Sequence, residues 1–537
     1  MCIIMISSMC SAYAGNYVYK VKSLDDTKQI DLHPGDVIEL ESGKTYCGML
    51  ELVGIDASEN PVTIRSSGVD KAIIDGAGCL AAVLLRNCSG IVLDNVALRA
   101  DGSAGRIGES PIERSAEAAG MRCGVLVEYS RPGEYSNLTF TNLDVRKIYY
   151  NDVGYVRSLK ETQDGRSRSQ YGWGIRFLAL NPKTVLKDVT ICSCEMTDIS
   201  HTAIKIKGTS LNVRNFDIYN NHIYHVGGPG IQMSGVKDMH IHHNIVDHSG
   251  SVQDARNWGR GSGYWCWGAE DILVEHNRFT HAHGPQDSAG AHIDFNNNNI
   301  VYQYNFSAFN EGGFVEILGN NYNCMYRFNI SVNDGCRTAG VDNAISNGGL
   351  LMLTGYVGGK PRKGPYHSYI YNNTMYVDDS MQAKFLLEDT ISGLLVANNI
   401  FHISGSAMIP KVPRYLNTVK PGNGEGIIWQ NNLYIHESVL PDGYQDTKAK
   451  IGNPHFNLKD LSCPESFIPH KSKCIAGLRI EELPSSGLKL SSSGLELPKD
   501  VQRHLEGSAK LRIPLKVRND FFGRKIKKPF MGAVKPR

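Results

Sequence analysis

The chain has 537 residues, a formal net charge of +2 and 20% charged residues. That balance gives no global reason to bind nucleic acid, and no block of five like charges marks an interaction tail. The length demands either several domains or an extended repeat; frequent Gly (55) and Tyr (25), with no long Leu/Ala/Glu/Lys periodicity, favours the repeat.

In chain order, the opening residues are apolar and end in Ala12-Tyr13-Ala14, a small-x-small pattern that a signal peptidase accepts. A charged segment before them is missing. Residues 1–14 are nevertheless expected to be a signal peptide, which makes the protein secreted or periplasmic. No later stretch reaches the ~18 unbroken apolar residues of a membrane span. Residues 15–80, with "PGDVIELESGKTYCGMLEL" and "NPVTIRSSG", read as an N-terminal cap and first coils.

From 81 to 440 one phrase recurs: an apolar alternation, a Gly, then an Asn and a second alternation. "FDIYNNHIYHV", "MHIHHNIVDHS", "ILVEHNRFTHA" and "IVYQYNFSAFN" are examples. The recurring asparagines are Asn221, Asn244, Asn277, Asn305, Asn329, Asn373, Asn399 and Asn432. Their successive steps are 23, 33, 28, 24, 44, 26 and 33. A shortest step near that first value, with variable excess, is the signature of a solenoid coil with loop insertions. Short strands of period 2 and stackable Asn turns make the expected fold all-β, a right-handed parallel β-helix with capped ends. A β-propeller needs a longer and steadier period. Gly/Ser/Arg/Glu-rich stretches at 100–135 and 155–172 read as long loop insertions, and 441–537 as C-terminal coils and cap, with "GNPHFNL" and "DFFGRKIKKPFMGAV" covering the last edge. Most of the thirteen cysteines are expected to be buried thiols, with a Cys463–Cys474 bridge the alternative for that pair.

Five strands align on their glycines: "TAIKIKG", "GIQMSG", "GYWCWG", "GAHID" and "GGFVE". Ile204, Ile231, Tyr264, Ala291 and Gly313 then share an inward column, and Ile206, Met233, Cys266, Ile293 and Val315 the next. The alternate positions face outward. One outward column holds Lys205, Gln232, Trp265, His292 and Phe314; the other holds Lys207, Ser234, Trp267, Asp294 and Glu316. Aromatic platforms beside polar groups suit a sugar. Asp294 precedes Asn305 by nearly the same interval as Glu316 precedes Asn329, so the two acids share almost one phase of consecutive coils. On coils ~4.8 Å apart their carboxyls are expected about 5 Å from one another. That spacing is the retaining one, and the mutual repulsion keeps one acid protonated.

The segment "GAHIDFNNNNIVYQYNFSAFNEGGFVEILG" resembles the catalytic segment of β-helical glycoside hydrolases, particularly a β-xylosidase family with its Asp nucleophile and Glu acid/base on adjacent coils. The resemblance implies Asp294 as nucleophile and Glu316 as acid/base. The wider chain is similar to secreted, pectate-lyase-like β-helix repeat proteins. His292, Trp265, Trp267, His283, Asp287, Lys207 and Arg337 are the candidate substrate-binding residues of a monomer acting on a polysaccharide or oligosaccharide. No cofactor and no metal set is expected, a structural or substrate-bridging calcium being the alternative. A polysaccharide lyase using Lys205, Lys207, His283 or Arg337 as base is the rival reading, and a non-catalytic glycan-binding protein the third.

Overall fold

The computed structural model describes residues 16–101, 121–149, 172–251, 261–342, 344–409, 426–440, 444–470, 473–481, 483 and 514–537. The expected leader lies outside them, as does all of the second insertion but residue 172. The described strands form three sheets of 15, 14 and 12 strands, and each strand pairs in parallel with the one a coil away. The chain visits the three sheets in turn at each coil, which is a right-handed parallel β-helix. No helix among the described residues is long and apolar enough to cross a membrane.

The alternation read from the sequence builds the interior. Ile204, Ile231, Tyr264 and Ala291 stack in register, as do Ile206, Met233, Cys266 and Ile293, and all are buried. At the corner between the first and second sheets the recurring asparagines form one continuous ladder. The backbone N and Nδ2 of Asn221 both donate to Oδ1 of Asn244, at 3.1 and 2.9 Å. The same pair of bonds joins Asn244 to Asn277, Asn277 to Asn305, and onward through Asn329, Asn373 and Asn399 to Asn432. Asp446 Oδ2 closes the series. An amide one coil on thus satisfies a backbone donor that would otherwise be buried unpaired. A second column, Asn215, Asp238, Asp271, Asn299 and Asn323, holds positive φ values of 52–57° on the first sheet. Asn and Asp occupy it because they tolerate the left-handed region better than other residues with a Cβ.

Three expectations change. Strands Arg122–Glu128 and Gly133–Thr141 continue the third and first sheets, so the first insertion is narrower than 100–135. Residues 514–537 run back along the flank as well as towards the end. Asn519 O accepts from Tyr304 Oη (2.9 Å), Leu515 O from Tyr371 Oη (2.7 Å) and Phe530 O from Asn372 Nδ2 (2.6 Å). The outward residues there are Tyr322, Phe328, Tyr366, Tyr369 and Tyr371, an apolar surface that needs cover. No disulfide joins Cys463 to Cys474: their sulfurs meet Glu465 Oε2 at 2.9 Å and Asn453 O at 4.0 Å. At the opposite end the 3-10 turn Leu24–Gln29 places Leu24 in the core, as a cap requires.

Candidate active site

The two acids do not face one another. Ile293 pairs with Ile317, Ala289 bridges Gly313, and Leu318 N donates to Ile293 O. The coil from Ile293 to Ile317 therefore has the same length as the ladder step from Asn305 to Asn329, whereas Asp294 and Glu316 would stand opposite only on a coil shorter by two residues. Glu316 stands across from His292, and Asp294 across from Leu318. The acids are diagonal neighbours, with Cα atoms ~8 Å apart for one strand spacing and two residues of rise. The two coils approach closely at Gly312-Gly313. A Cβ on Gly312 would meet Asp287 O at 1.9 Å, and Gly313 takes φ +137°, which L side chains rarely adopt. Phe314, expected outside, is turned into the core, where its ring meets Tyr326 edge-on at 5.7 Å.

The floor of the site is a row of outward side chains on the third sheet, Lys205, Gln232, Trp265, His292, Glu316 and Met352. Trp265 lies nearly parallel to His292, ring centres 5.6 Å apart at 15°. Lys205 Nζ is 5.8 Å from the Trp265 ring and 5.9 Å from that of Trp173. Beneath the floor, Tyr302 Oη donates to His292 O (2.7 Å) and Tyr326 Oη to Ala291 O (3.0 Å). These buried phenols pin the short strand Ala291–Ile293 from inside the helix.

Glu316 and His292 are 6% and 2% exposed, and their Oε2 and Nδ1 are 4.0 Å apart. They are nonetheless not an ion pair. Burial, then the charges of Asp287 and Asp294, hold the Glu316 carboxyl well above the usual carboxylate range, with Arg337 partly opposing. Burial also lowers His292 to about 4. Both shifts favour the uncharged forms of the two groups, and His292 Nδ1 has no hydrogen-bond partner among the described residues. The histidine's folded pKa lies below its unfolded value near 6.5, so its contribution is fully present above pH 6.5 and is lost as pH falls towards 4. It amounts to about 3 kcal/mol. His292→Phe, which keeps an aromatic ring against Trp265, should flatten the fall in the unfolding free energy between those pH values by that amount, read from urea curves.

Asp294 sits at the end of its strand. Its Oδ1 accepts from Phe295 N (2.9 Å), and its carbonyl from Nδ2 of Asn297 (2.7 Å) and Asn321 (2.5 Å). On this side lies an apolar cluster of Leu318, Met352, Leu386 and Phe295, with Trp267 tilted against Phe295 at 5.8 Å. The opposite wall is the turn carrying His283 and Asp287. Glu311, which sequence reasoning missed, holds it: Oε1 meets His283 Nδ1 at 2.5 Å and Oε2 accepts from Gly284 N at 3.0 Å. Burial alone would raise Glu311, but these bonds outweigh it and lower its pKa. Its position before a Gly-Gly pair was the available signal.

Of the predicted residues, Asp294, Glu316, His292 and Trp265 lie together on the outer face of the third sheet, with the charge of Asp287 reaching Glu316. Trp267 lies at its half-exposed edge, and Lys207 lies further along the sheet beside Ser234. Arg337 is not placed to bind a substrate carboxylate. Its guanidinium donates to Ser346 O and Oγ, Gly284 O and Asp287 O, clamping the turn that carries Asp287. Arg362 is likewise engaged, 2.6 Å from Glu388.

No family model matches this chain, and no curated protein does. Among solved structures it is similar to the GH136 lacto-N-biosidase from Eubacterium ramulus, at 19% identity and TM-score 0.51, over 72% of this chain and 64% of that one. The chain thus spans less than two thirds of that protein. XylC in complex with xylose matches at 10% identity and TM-score 0.40 over 95% of this chain and 94% of that one. A PL6 family alginate lyase matches at 12% and 0.36 over 82% and 54%. These neighbours are carbohydrate-active proteins on parallel β-helices, and the likeness is one of fold.

Proposed function

We propose that the protein is an exported glycoside hydrolase acting on a complex polysaccharide or oligosaccharide. The observation that carries this reading is Glu316 buried beside His292 and Asp294 on the third sheet, its carboxyl held well above the usual carboxylate range by burial and by the charges of Asp287 and Asp294. A carboxylic acid kept protonated near pH 7 can give its proton to a glycosidic oxygen, and an ionised neighbour can answer the positive charge at the anomeric carbon. Glu316 is the acid, Asp294 the anionic partner, and Asp287 the charge that bears most strongly on the proton of Glu316. Trp265 offers a sugar-stacking face and His292 a polar atom beside it. The lacto-N-biosidase neighbour agrees with a hydrolase but does not choose the sugar. Retention no longer follows from face-to-face acids. The first-formed anomer, read by proton NMR, decides it: retention places Asp294 in direct attack, and inversion makes it the base of a water.

Plant, algal and host glycan fragments, with product masses recorded, test the class. Products heavier by one water support hydrolysis; unsaturated uronates absorbing in the ultraviolet overturn it in favour of a lyase. Binding without any cleavage leaves a glycan-binding protein. Because the Asp287 charge raises Glu316, Asp287→Asn should lower the acid's pKa and move the alkaline limb of the kcat/KM profile to lower pH. An unmoved limb removes Asp287 from that role.

A further inference from the structure

The outer face of the first sheet, away from the acids, carries a cluster that the glycan reading does not use. Asp217 and His240 are register neighbours on successive coils, and His242 stands two residues along the same strand as His240. Asp217 Oδ1 lies 2.9 Å from His242 Nε2 and 3.7 Å from His240 Nδ1. One ligand atom from each residue falls within 4.8 Å of the other two. Ligands about 2.0–2.1 Å from a tetrahedral zinc are ~3.3 Å from each other, a value those two distances bracket.

The remaining ring nitrogens are held as metal-bound imidazoles require. His240 Nε2 is 3.0 Å from Glu275 Oε1, and Glu275 Oε2 in turn accepts from Gln303 Nε2 at 2.6 Å. Nδ1 of His242 meets Nδ1 of His243 at 2.8 Å. A carboxylate behind a ligating histidine fixes its tautomer and raises its basicity. Asp217 and His240 also line a recess of about 400 Å³, shared between polar side chains such as Asp238 and Asp271 and apolar ones such as Met239 and Leu273, which leaves room for water at an open coordination position.

A second histidine cluster differs. Asp247 Oδ2 meets His248 Nδ1 and its Oδ1 meets His281 Nδ1, both at 2.8 Å, so the imidazoles bind opposite oxygens. Their rings belong to a stack of His248, His281 and Phe309, and Asp247 also accepts from Thr280. His240 and His242 also stack, ring centres 4.1 Å apart at 30°, but their nitrogens face the single oxygen Asp217 Oδ1, whereas this pair is divided between the two oxygens of a carboxylate that Thr280 also occupies.

We propose that Asp217, His240 and His242 form a divalent transition-metal site of the zinc class, with Glu275 orienting His240 and an open position facing the recess. The full-length chain, without a histidine tag and stripped with a chelator, is titrated with Zn²⁺ against a chromophoric chelator and with Co²⁺ by visible absorption. One equivalent with a Co²⁺ band is expected. His242→Ala and Asp217→Ala should each weaken binding by at least ~100-fold, and Glu275→Gln by ~10–100-fold. His281→Ala, on the stacked cluster, should bind as the parent does. Asp217, His240 and His242 are part-exposed on the outer face, and a melting curve verifies that each variant is folded. Wild-type affinity in His242→Ala and Asp217→Ala, or no equivalent bound by the parent, overturns the site. None of these readouts depends on glycan cleavage.

Discussion

Glu316→Gln should lower kcat/KM by roughly 10²–10⁴-fold on unactivated glycosides and far less on aryl glycosides with acidic leaving groups, the usual worth of a general acid. The amide matches the neutral carboxyl in shape, so the buried site survives the exchange. It cannot supply a proton to the departing oxygen, and a leaving group that needs none escapes the penalty. Asp294→Ala should fail on both substrate types, because the anomeric carbon needs an anion whatever departs. Equal losses for Glu316→Gln on the two leaving groups would remove Glu316 from the acid's role. Survival of activity in Asp294→Ala would move the anionic partner to Asp287, whose charge also reaches Glu316.

The second large effect concerns the fold. Asn277→Ala should destabilise the helix by about 2–4 kcal/mol, seen as a lower urea midpoint. Asn277 Oδ1 accepts from both N and Nδ2 of Asn244 at 2.9 Å, and its own N and Nδ2 donate to Asn305 Oδ1 at 3.0 Å. Truncation leaves Asn244 N buried without its acceptor, and such a donor costs about 1–3 kcal/mol before the lost side-chain bonds are counted. Asn277→Leu keeps the volume and should recover none of it. If Asn277→Leu matched the parent, the ladder would be packing alone.

Legibility differed between these parts for physical reasons. The asparagines were readable because the ladder needs one side-chain amide per coil at one corner, and that need repeats whatever the loops between them do. The inward columns from Ile204 to Ile293 were readable because a buried strand face tolerates little besides apolar residues. The groove was half readable: Trp265, His292 and Asp294 share its strands as expected. The clamp that Arg337 makes was hidden because a sequence does not show that a guanidinium has carbonyls to satisfy. The zinc-class cluster was hidden because its ligands come from two coils, Asp217 from one and His240 with His242 from the next, and no short spacing marks them.

By itself the sequence determined a parallel β-helix with acids and aromatics on one outer face, since period-2 burial and the corner amides leave few other ways to fold. Only the tertiary structure decided what stands beside what. The small mismatch between the Asp294-to-Asn305 and Glu316-to-Asn329 intervals is a full two-residue shift between the acids, because the coils pair at one constant step on this face. That shift sets Glu316 against His292 and Asp294 on its diagonal, and burial there, which no local pattern encodes, pushes the glutamic acid's pKa up.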